Sequence, residues 1–186
     1  QWPWPRATQA KVLEELHRMG AKVIGLDFLY VEPSPEPKDD LALEKALRRA
    51  SNVYLAAEIK SLREVGEYVG DFKSPFTLKK PLSRFEKASA GIGLVNVDFV
   101  HDNVDGIVRR MPLAKKIPSG EYVPSLSLSL ASAYQDTEPI YLPGGDIRFP
   151  AQAYTIPTYP SRFRPKVDDP RVARTTFPRS AYINYD

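Results

Sequence analysis

The chain has 186 residues, of which 42% are hydrophobic and 26% charged, and it carries a formal net charge of +3. This composition is typical of one globular domain and excludes wholesale disorder, and the weak charge gives no support to nucleic-acid binding. The chain has no cysteine, which excludes disulfides, cysteine nucleophiles and thiolate metal sites, and no apolar run reaches the ~18 residues of a membrane span.

The opening hexapeptide, QWPWPR, holds both tryptophans of the chain, Trp2 and Trp4. Tryptophan favours positions with one apolar and one wet side, including the belt where a membrane meets water. These side chains therefore either fold back on the core of the domain or belong to a segment beside a transmembrane helix of a longer parent protein. The hexapeptide alone leaves both interpretations open.

The first half of the chain predicts alternating helices and strands. Residues 7–19 predict a helix that ends at Gly20, and residues 22–30, KVIGLDFLY, predict a strand buried on both faces. A second helix over 39–50 and a second strand over 51–59 follow, so we expect a parallel strand pair. Apolar spacing predicts the core-facing side of the first helix, which comprises Val12, Leu13, Leu16 and Met19.

The middle of the chain gives weaker patterns. Residues 60–72 predict a short helix, and residues 73–89 predict a loop that holds no more than a helical turn. Two further strands are predicted over 91–100 and 107–117. The turn residues of HDNVDG lie between these two strands, so we expect them to form a hairpin.

The last third combines one ambiguous segment with a proline-rich stretch. PSLSLSLASAY at 124–134 alternates as a strand does, yet its leucines also share a helical face, and we predict a helix. A hairpin around Gly144 and Gly145 and a final short strand in AYINYD are predicted after it. Residues 150–179 hold six Pro and six Arg or Lys, which fits an ordered surface loop or a partner-binding surface.

Polar side chains are expected at the carboxyl ends of the predicted strands, where ligands bind in parallel α/β sheets. Asp27 interrupts a buried strand, and Glu32 follows in the same loop. Glu58, Asn96 and Asp98 end other strands at the same predicted edge. These residues are candidates for a polar ligand pocket.

The acidic residues also allow a metal-dependent phosphohydrolase, in which Asp27, Glu32, Asp98 and Asp40 would hold Mg²⁺ and position a phosphate. The alternative is structural. Asp27 would then brace a loop, and Asp39 or Asp40 would cap the second helix. The Asp-x-Asp pattern of an aspartate nucleophile is missing, because Asp27 is followed by Phe, Leu and Tyr.

The predicted hairpin carries a second polar group. Arg109 and Arg110 alternate across a strand, so one of them faces inward and needs a partner, for which Asp98 or Asp105 is near in sequence. This arginine forms either a structural ion pair or an anion site. The segment at 101–106 lacks the acidic spacing of a calcium loop, so we interpret Asp105 and Gly106 as turn residues.

Several pieces occur together in a recognisable order: WPWPR, GAKVIGLDFLYVEPS, DDLALEKAL, VYLAAEI, VNVDFVHDNVDGIVRRMPL, YVPSLSLSLA and YINYD. The ordered set resembles the second family of CHASE domains, the cyclase/histidine-kinase-associated sensory extracellular modules. The resemblance covers nearly the whole chain and is weakest over 60–90 and 150–179. It implies an extracytoplasmic sensor of a bacterial membrane receptor, with one transmembrane helix before the domain and usually more after it.

The same resemblance implies a cytoplasmic output domain, which is an adenylate or diguanylate cyclase, a histidine kinase or a serine/threonine kinase. QWPWPR would then be the membrane-proximal entry to the domain. The ligands of the family are largely undefined, so the resemblance assigns no binding residues. Six positions match the recurring pattern of the family: Asp27, Asp40, Asp98, Asp105, Gly106 and Arg109.

We therefore expect a single α/β domain over 1–186, with a mixed sheet that has a parallel core and antiparallel hairpins, and helices on its faces. We expect a non-catalytic sensor of a small molecule or another extracytoplasmic signal, with no cofactor or metal, that forms a homodimer. Its ligand-binding residues are expected to be Asp27, Glu32, Asn96, Asp98 and Arg109. The alternatives are the phosphohydrolase and an interaction module that uses the 150–179 segment.

Overall fold

The structure is a computed structural model that describes residues 4–61, 76–96, 110–117, 121–142, 146–150, 154–156 and 180–182. Its helices pack against a mixed β-sheet, which confirms the predicted α/β class. Within these residues, no helix is both long and apolar enough to cross a membrane. The short helix predicted over 60–72 lies almost wholly outside the described residues.

The first helix, α1 (Arg6–Arg18), begins directly after Pro5 and ends before Gly20, as predicted. Gly20 has a φ of 82°, and its N–H donates to the His17 carbonyl at 3.0 Å. This left-handed conformation suits glycine and stops the helix. Trp4 precedes the helix and is exposed, so it does not fold back on the core.

The second helix and the two strands around it follow the predicted alternation. They are β1 (Ile24–Leu26), α2 (Pro37–Ala50) and β2 (Val53–Ser61). β1 and β2 pair in parallel from Ile24↔Val53 to Leu26↔Leu55, which confirms the predicted parallel pair.

β2 lies at the centre of the sheet. Along one side it pairs in parallel with β4 (Gly91–Leu94), and just beyond β4 the side chain of Asn96 bonds to the backbone of Ile59. Because that side is occupied as far as Ile59, the antiparallel β3 (Phe76–Lys79) follows β1 along the other side of β2.

Two predictions for this region are wrong in extent. The strand predicted over 22–30 ends at Leu26, because from Glu58 onward this side of β2 pairs with β3 instead of β1. The segment predicted over 73–89 as a loop with a helical turn does contain that turn, as the short helix α3 (Ser83–Glu86), but it also supplies the strand β3. β3 reads Phe-Thr-Leu-Lys, so its apolar–polar alternation covers only four residues, and its pairing with β2 is what identifies it as a strand.

The main core lies between the sheet and the α1–α2 pair. It is formed by buried apolar side chains from every element on that face, namely Ala10, Leu13, Ile24, Tyr30, Leu43, Ala46, Leu47, Ala50, Val53, Leu55, Phe85 and Ala88. Of the four residues predicted for the core-facing side of α1, only Leu13 is buried. Successive residues turn by about 100° around a helix, so Leu13 and Ala10 point inward while Val12, Leu16 and Met19 point to solvent, with Met19 75% exposed.

The fourth helix, α4 (Leu126–Gln135), confirms the helical interpretation of the Leu–Ser segment. Ser125 caps it, with its Oγ accepting a bond from the Leu128 N–H at 3.2 Å. The first residue of α4, Leu126, packs against Gly93 of β4. A Cβ atom on residue 93 would lie 2.7 Å from the backbone nitrogen of Leu126. The close approach therefore requires glycine at this position.

The remaining strands form small antiparallel pairs. β5 (Arg110–Pro112) pairs with β11 (Ser180–Tyr182), and β6 (Ala114–Lys116) pairs with β7 (Tyr122–Pro124). β8 (Ile140–Tyr141), β9 (Ile147–Phe149) and β10 (Tyr154–Ile156) form a three-stranded sheet.

These pairings confirm the hairpin around Gly144 and Gly145 and the strand near the carboxyl end. Within the described residues, however, the hairpin predicted between 91–100 and 107–117 is wrong. The 91–94 strand pairs with β2, and the 110–116 stretch splits at Leu113 into strands with different partners.

Candidate functional site

The predicted ligand residues that the structure describes occupy different environments. Asp27 follows β1 and is exposed, and the Glu32 side chain is exposed as well. Asn96 accepts a bond from the Ile59 N–H at 2.8 Å and donates to the Ile59 carbonyl at 2.8 Å. Its amide therefore prolongs the β2–β4 ladder by one step.

The other predicted site residues, Asp98, Asp105, Gly106 and Arg109, lie outside the described residues, so their proposed pocket stays a prediction. Within the described part of the chain, no group of three or more acidic or histidine side chains could hold a metal ion. The acidic cluster proposed for the phosphohydrolase is thus not brought together by the residues that can be placed.

The structure instead builds a buried polar cluster around Arg6, the first residue of α1. We call it the Arg6 cluster, and it consists of Arg6, Tyr30, Asp40, Arg84 and Phe85. The Arg6 guanidinium forms an ion pair with Asp40 and donates a second bond to the Glu32 carbonyl at 2.6 Å. The side chain of Asp40 is only 4% exposed. Arg6 thereby links the Asp40 side chain to the backbone of the loop at Glu32, whose own side chain takes no part in the cluster.

Asp40 holds this position because of the way α2 begins. Pro37 occupies the start of the helix, and the N-cap residue, Glu36, makes no side-chain cap bond. Asp40 lies in the first turn, where its carboxylate also accepts the Ser34 N–H at 3.2 Å. The predicted capping role of Asp39 or Asp40 is therefore wrong, since Asp40 faces Arg6 and the preceding loop.

Aromatic rings surround the arginine. The Arg6 guanidinium carbon lies 5.3 Å from the ring centre of Tyr30 and 5.4 Å from that of Phe85, both within cation–π range. The two rings meet edge to face with their centres 5.5 Å apart. Arg6 therefore fits into a socket that is apolar on its ring faces and anionic at Asp40.

Tyr30 joins the socket to both neighbouring elements. Its hydroxyl donates to Gln9 Oε1 on α1 at 2.5 Å, and its carbonyl accepts the Leu82 N–H at 2.8 Å. Burial raises the pKa of Tyr30 well above its ordinary value, although the Arg6 charge acts in the opposite direction. The hydroxyl therefore stays a protonated donor at physiological pH.

Arg84 closes the cluster from the α3 side. It donates to Glu44 Oε2 on α2 at 2.8 Å, and its guanidinium lies 4.0 Å from Asp40. The hydrogen bonds from Arg84 and then Arg48 hold the pKa of Glu44 below its ordinary range. Arg6 and Arg84 thus bring two positive charges to α2 and link α1 and α3 through it.

Breaking the central ion pair gives a direct test of the cluster. Asp40→Asn is expected to lower the free energy of unfolding by about 3 kcal/mol, because it leaves the mostly buried Arg6 without its anionic partner. Glu15→Gln is the control, since it removes the exposed partner of Arg18 on the same helix and is expected to cost no more than about 1 kcal/mol. Urea unfolding measures both values, and equal losses would contradict the anchoring role of Asp40.

The family model described as the CHASE2 domain matches residues 1–185, which is nearly the full length. Neither a curated protein nor a solved structure matches the chain. The match confirms the resemblance seen in the ordered sequence pieces, and the chain therefore belongs to the CHASE2 family of extracellular sensory domains.

Proposed function

We propose that the chain is the non-catalytic sensing domain of a bacterial membrane receptor, lying outside the cytoplasm and signalling to a cyclase or kinase output domain. Family membership supports a sensory role. The stimulus would act by shifting the population between two arrangements of the domain. Transmembrane helices of the parent chain would pass the difference to the output domain.

The Arg6 cluster is the observation that carries this proposal. Ala10 and Leu13 are the buried residues of α1, so apolar burial holds this helix to the core only weakly. Polar and cation–π contacts at Arg6 fix its first turn to α2 and to the loop after β1. An element whose first turn depends on a polar anchor can exchange between two positions at a cost of a few kcal/mol, as a population shift requires.

Removal of the anchor should change signalling. In membranes that contain the complete receptor, Arg6→Met is expected to change the unstimulated output activity by about tenfold, because α1 is no longer held in one position. Arg18→Met is the matched control on the same helix, since Arg18 forms an exposed ion pair with Glu15 and should leave the output within about twofold.

The experiment requires that both variants are folded and present at equal levels in the membrane. An Arg6→Met receptor that is folded, equally abundant and unchanged in output would show that the anchor has no part in transmission. An equal change in both variants would point to a general effect of charge on α1.

We further propose that the domain forms a homodimer through the exposed apolar residues of α1. Val12, Leu16 and Met19 follow the 4-and-3 spacing of a coiled-coil seam, and we call them the α1 stripe. In a parallel two-fold pair, the two Glu15 side chains would lie on opposite flanks of the stripe, apart from each other. An antiparallel pair centred on Leu16 would bring the two Glu15 side chains together, so charge favours the parallel arrangement.

The absence of cysteine makes this arrangement easy to test by single-cysteine crosslinking. Val12→Cys and Met19→Cys are each expected to form covalent dimers under mild oxidation, because equivalent residues meet in a parallel pair. Leu41→Cys on α2 is the control, with an exposure of 49% against 46% for Val12. Crosslinking at Leu16→Cys alone would indicate an antiparallel pair, and crosslinking no stronger than in the control would refute the interface.

A further inference from the structure

A groove of about 460 Å³ runs between α1 and α2, next to the Arg6 cluster. Its floor is made of alanines, Ala7 and Ala10 from α1 and Ala42 from α2. These small side chains leave a trough between the helices that larger residues would fill. Leu41 forms part of the α2 wall and is 49% exposed, so the groove presents apolar surface to solvent.

The rims of this groove are positively charged. Lys11 lines it from α1, and Lys38 and Lys45 line it from α2. Lys38 lies 3.7 Å from Glu36, but neither Lys11 nor Lys45 has an ion-pair partner within the described residues. The one acidic residue of the lining, Glu14, lies 3.6 Å from Arg49, which partly balances its charge.

An apolar floor between unpaired ammonium groups matches a molecule with an alkyl body and an anionic head. We propose that the α1–α2 groove binds a small amphiphilic anion in monomeric form, of the long-chain carboxylate class. The alkyl chain lies along Ala7, Ala42 and Leu41, and the carboxylate binds Lys11 and Lys45 from opposite walls. The inference rests on the proposed sensing function and names the ligand class for it.

The groove borders the residues next to the Arg6–Asp40 ion pair, so a bound ligand can act on that pair. Ala7 directly follows Arg6 in α1, and Leu41 directly follows Asp40 in α2. A molecule that enters the trough therefore contacts the same two helix turns that the Arg6–Asp40 pair joins. Binding would change the separation of α1 and α2 where α1 is held most firmly.

Decanoate, kept below its micellar concentration, is the probe. Isothermal titration of the 186-residue chain is expected to show saturable one-to-one binding that strengthens about two- to threefold for each added methylene from octanoate to dodecanoate. The double variant Lys11→Gln/Lys45→Gln is expected to weaken binding by about tenfold or more. Lys79→Gln/Lys87→Gln is the charge-matched control on other exposed sites and should bind as the natural chain does.

Two further arms test the chemistry of the site. Decylammonium should bind at least about tenfold more weakly than decanoate, because its charge has the wrong sign. Ala7→Leu, which fills the floor, should abolish binding in a chain whose circular dichroism is unchanged.

The inference is overturned by any of several results. These are no saturable binding of decanoate, equal binding of decylammonium, and binding that both lysine pairs affect equally. Binding to phosphatidylglycerol vesicles without binding of free decanoate would also overturn it, since the lysines would then meet a membrane surface. If decanoate fails while Arg6→Met still alters receptor output, the ligand class is wrong and the sensing function stands.

Discussion

The arrangement of α1 depends on the buried ion pair between Arg6 and Asp40. The helix places only Ala10 and Leu13 in the core, so its position cannot come from apolar burial alone. A buried ion pair contributes little net stability, because desolvation offsets the attraction, yet removing either partner is costly. Such a pair therefore fixes where a helix lies more than how stable the domain is, and this is the property that a sensing element needs.

The elements beneath this anchor form a fixed frame. β2 is paired on both sides, and the Asn96 side chain extends its pairing with β4. At Gly93, the backbone of β4 contacts the backbone at the start of α4. Displacing any of these parts would break buried hydrogen bonds or create overlap. α1 is not paired with these strands, and it carries both the α1 stripe and one side of the alanine-floored groove. We therefore propose α1 as the element that moves.

The sequence predicted the elements whose pattern is local. α2, β2 and α4 each carry enough periodic apolar residues, or a clear start signal such as Ser125, to be placed to within a few residues. β3 is harder to predict because its apolar–polar alternation covers only four residues, and the pairing with β2 is what identifies it. The predicted core-facing side of α1 misses Ala10 and includes three exposed residues, because the larger apolar side chains of this helix face solvent while a small alanine faces the core.

The candidate site depends on contacts that no local pattern reveals. Asp40 was recognised as important, but its acidic position in the first turn of a helix suggested a cap. Its true partner, Arg6, lies 34 residues away in sequence, and Arg84 lies farther still. The aromatic residues at Tyr30 and Phe85 likewise resemble ordinary core residues until the guanidinium is placed between them. The expectation of ligand residues at the carboxyl ends of the strands stays a prediction, although the loop after β1 does supply the Glu32 carbonyl to Arg6.

Native-state hydrogen exchange of the Arg6→Met domain tests most directly whether one polar anchor holds α1. If Arg6 anchors α1, its amides exchange about tenfold faster or more in this variant, through local opening of the helix, while amides of β2 and β4 keep their protection. Arg18→Met should leave both sets unchanged. Unaltered protection of α1 in Arg6→Met, or an equal loss across α1, β2 and β4, would show that Arg6 does not anchor this helix.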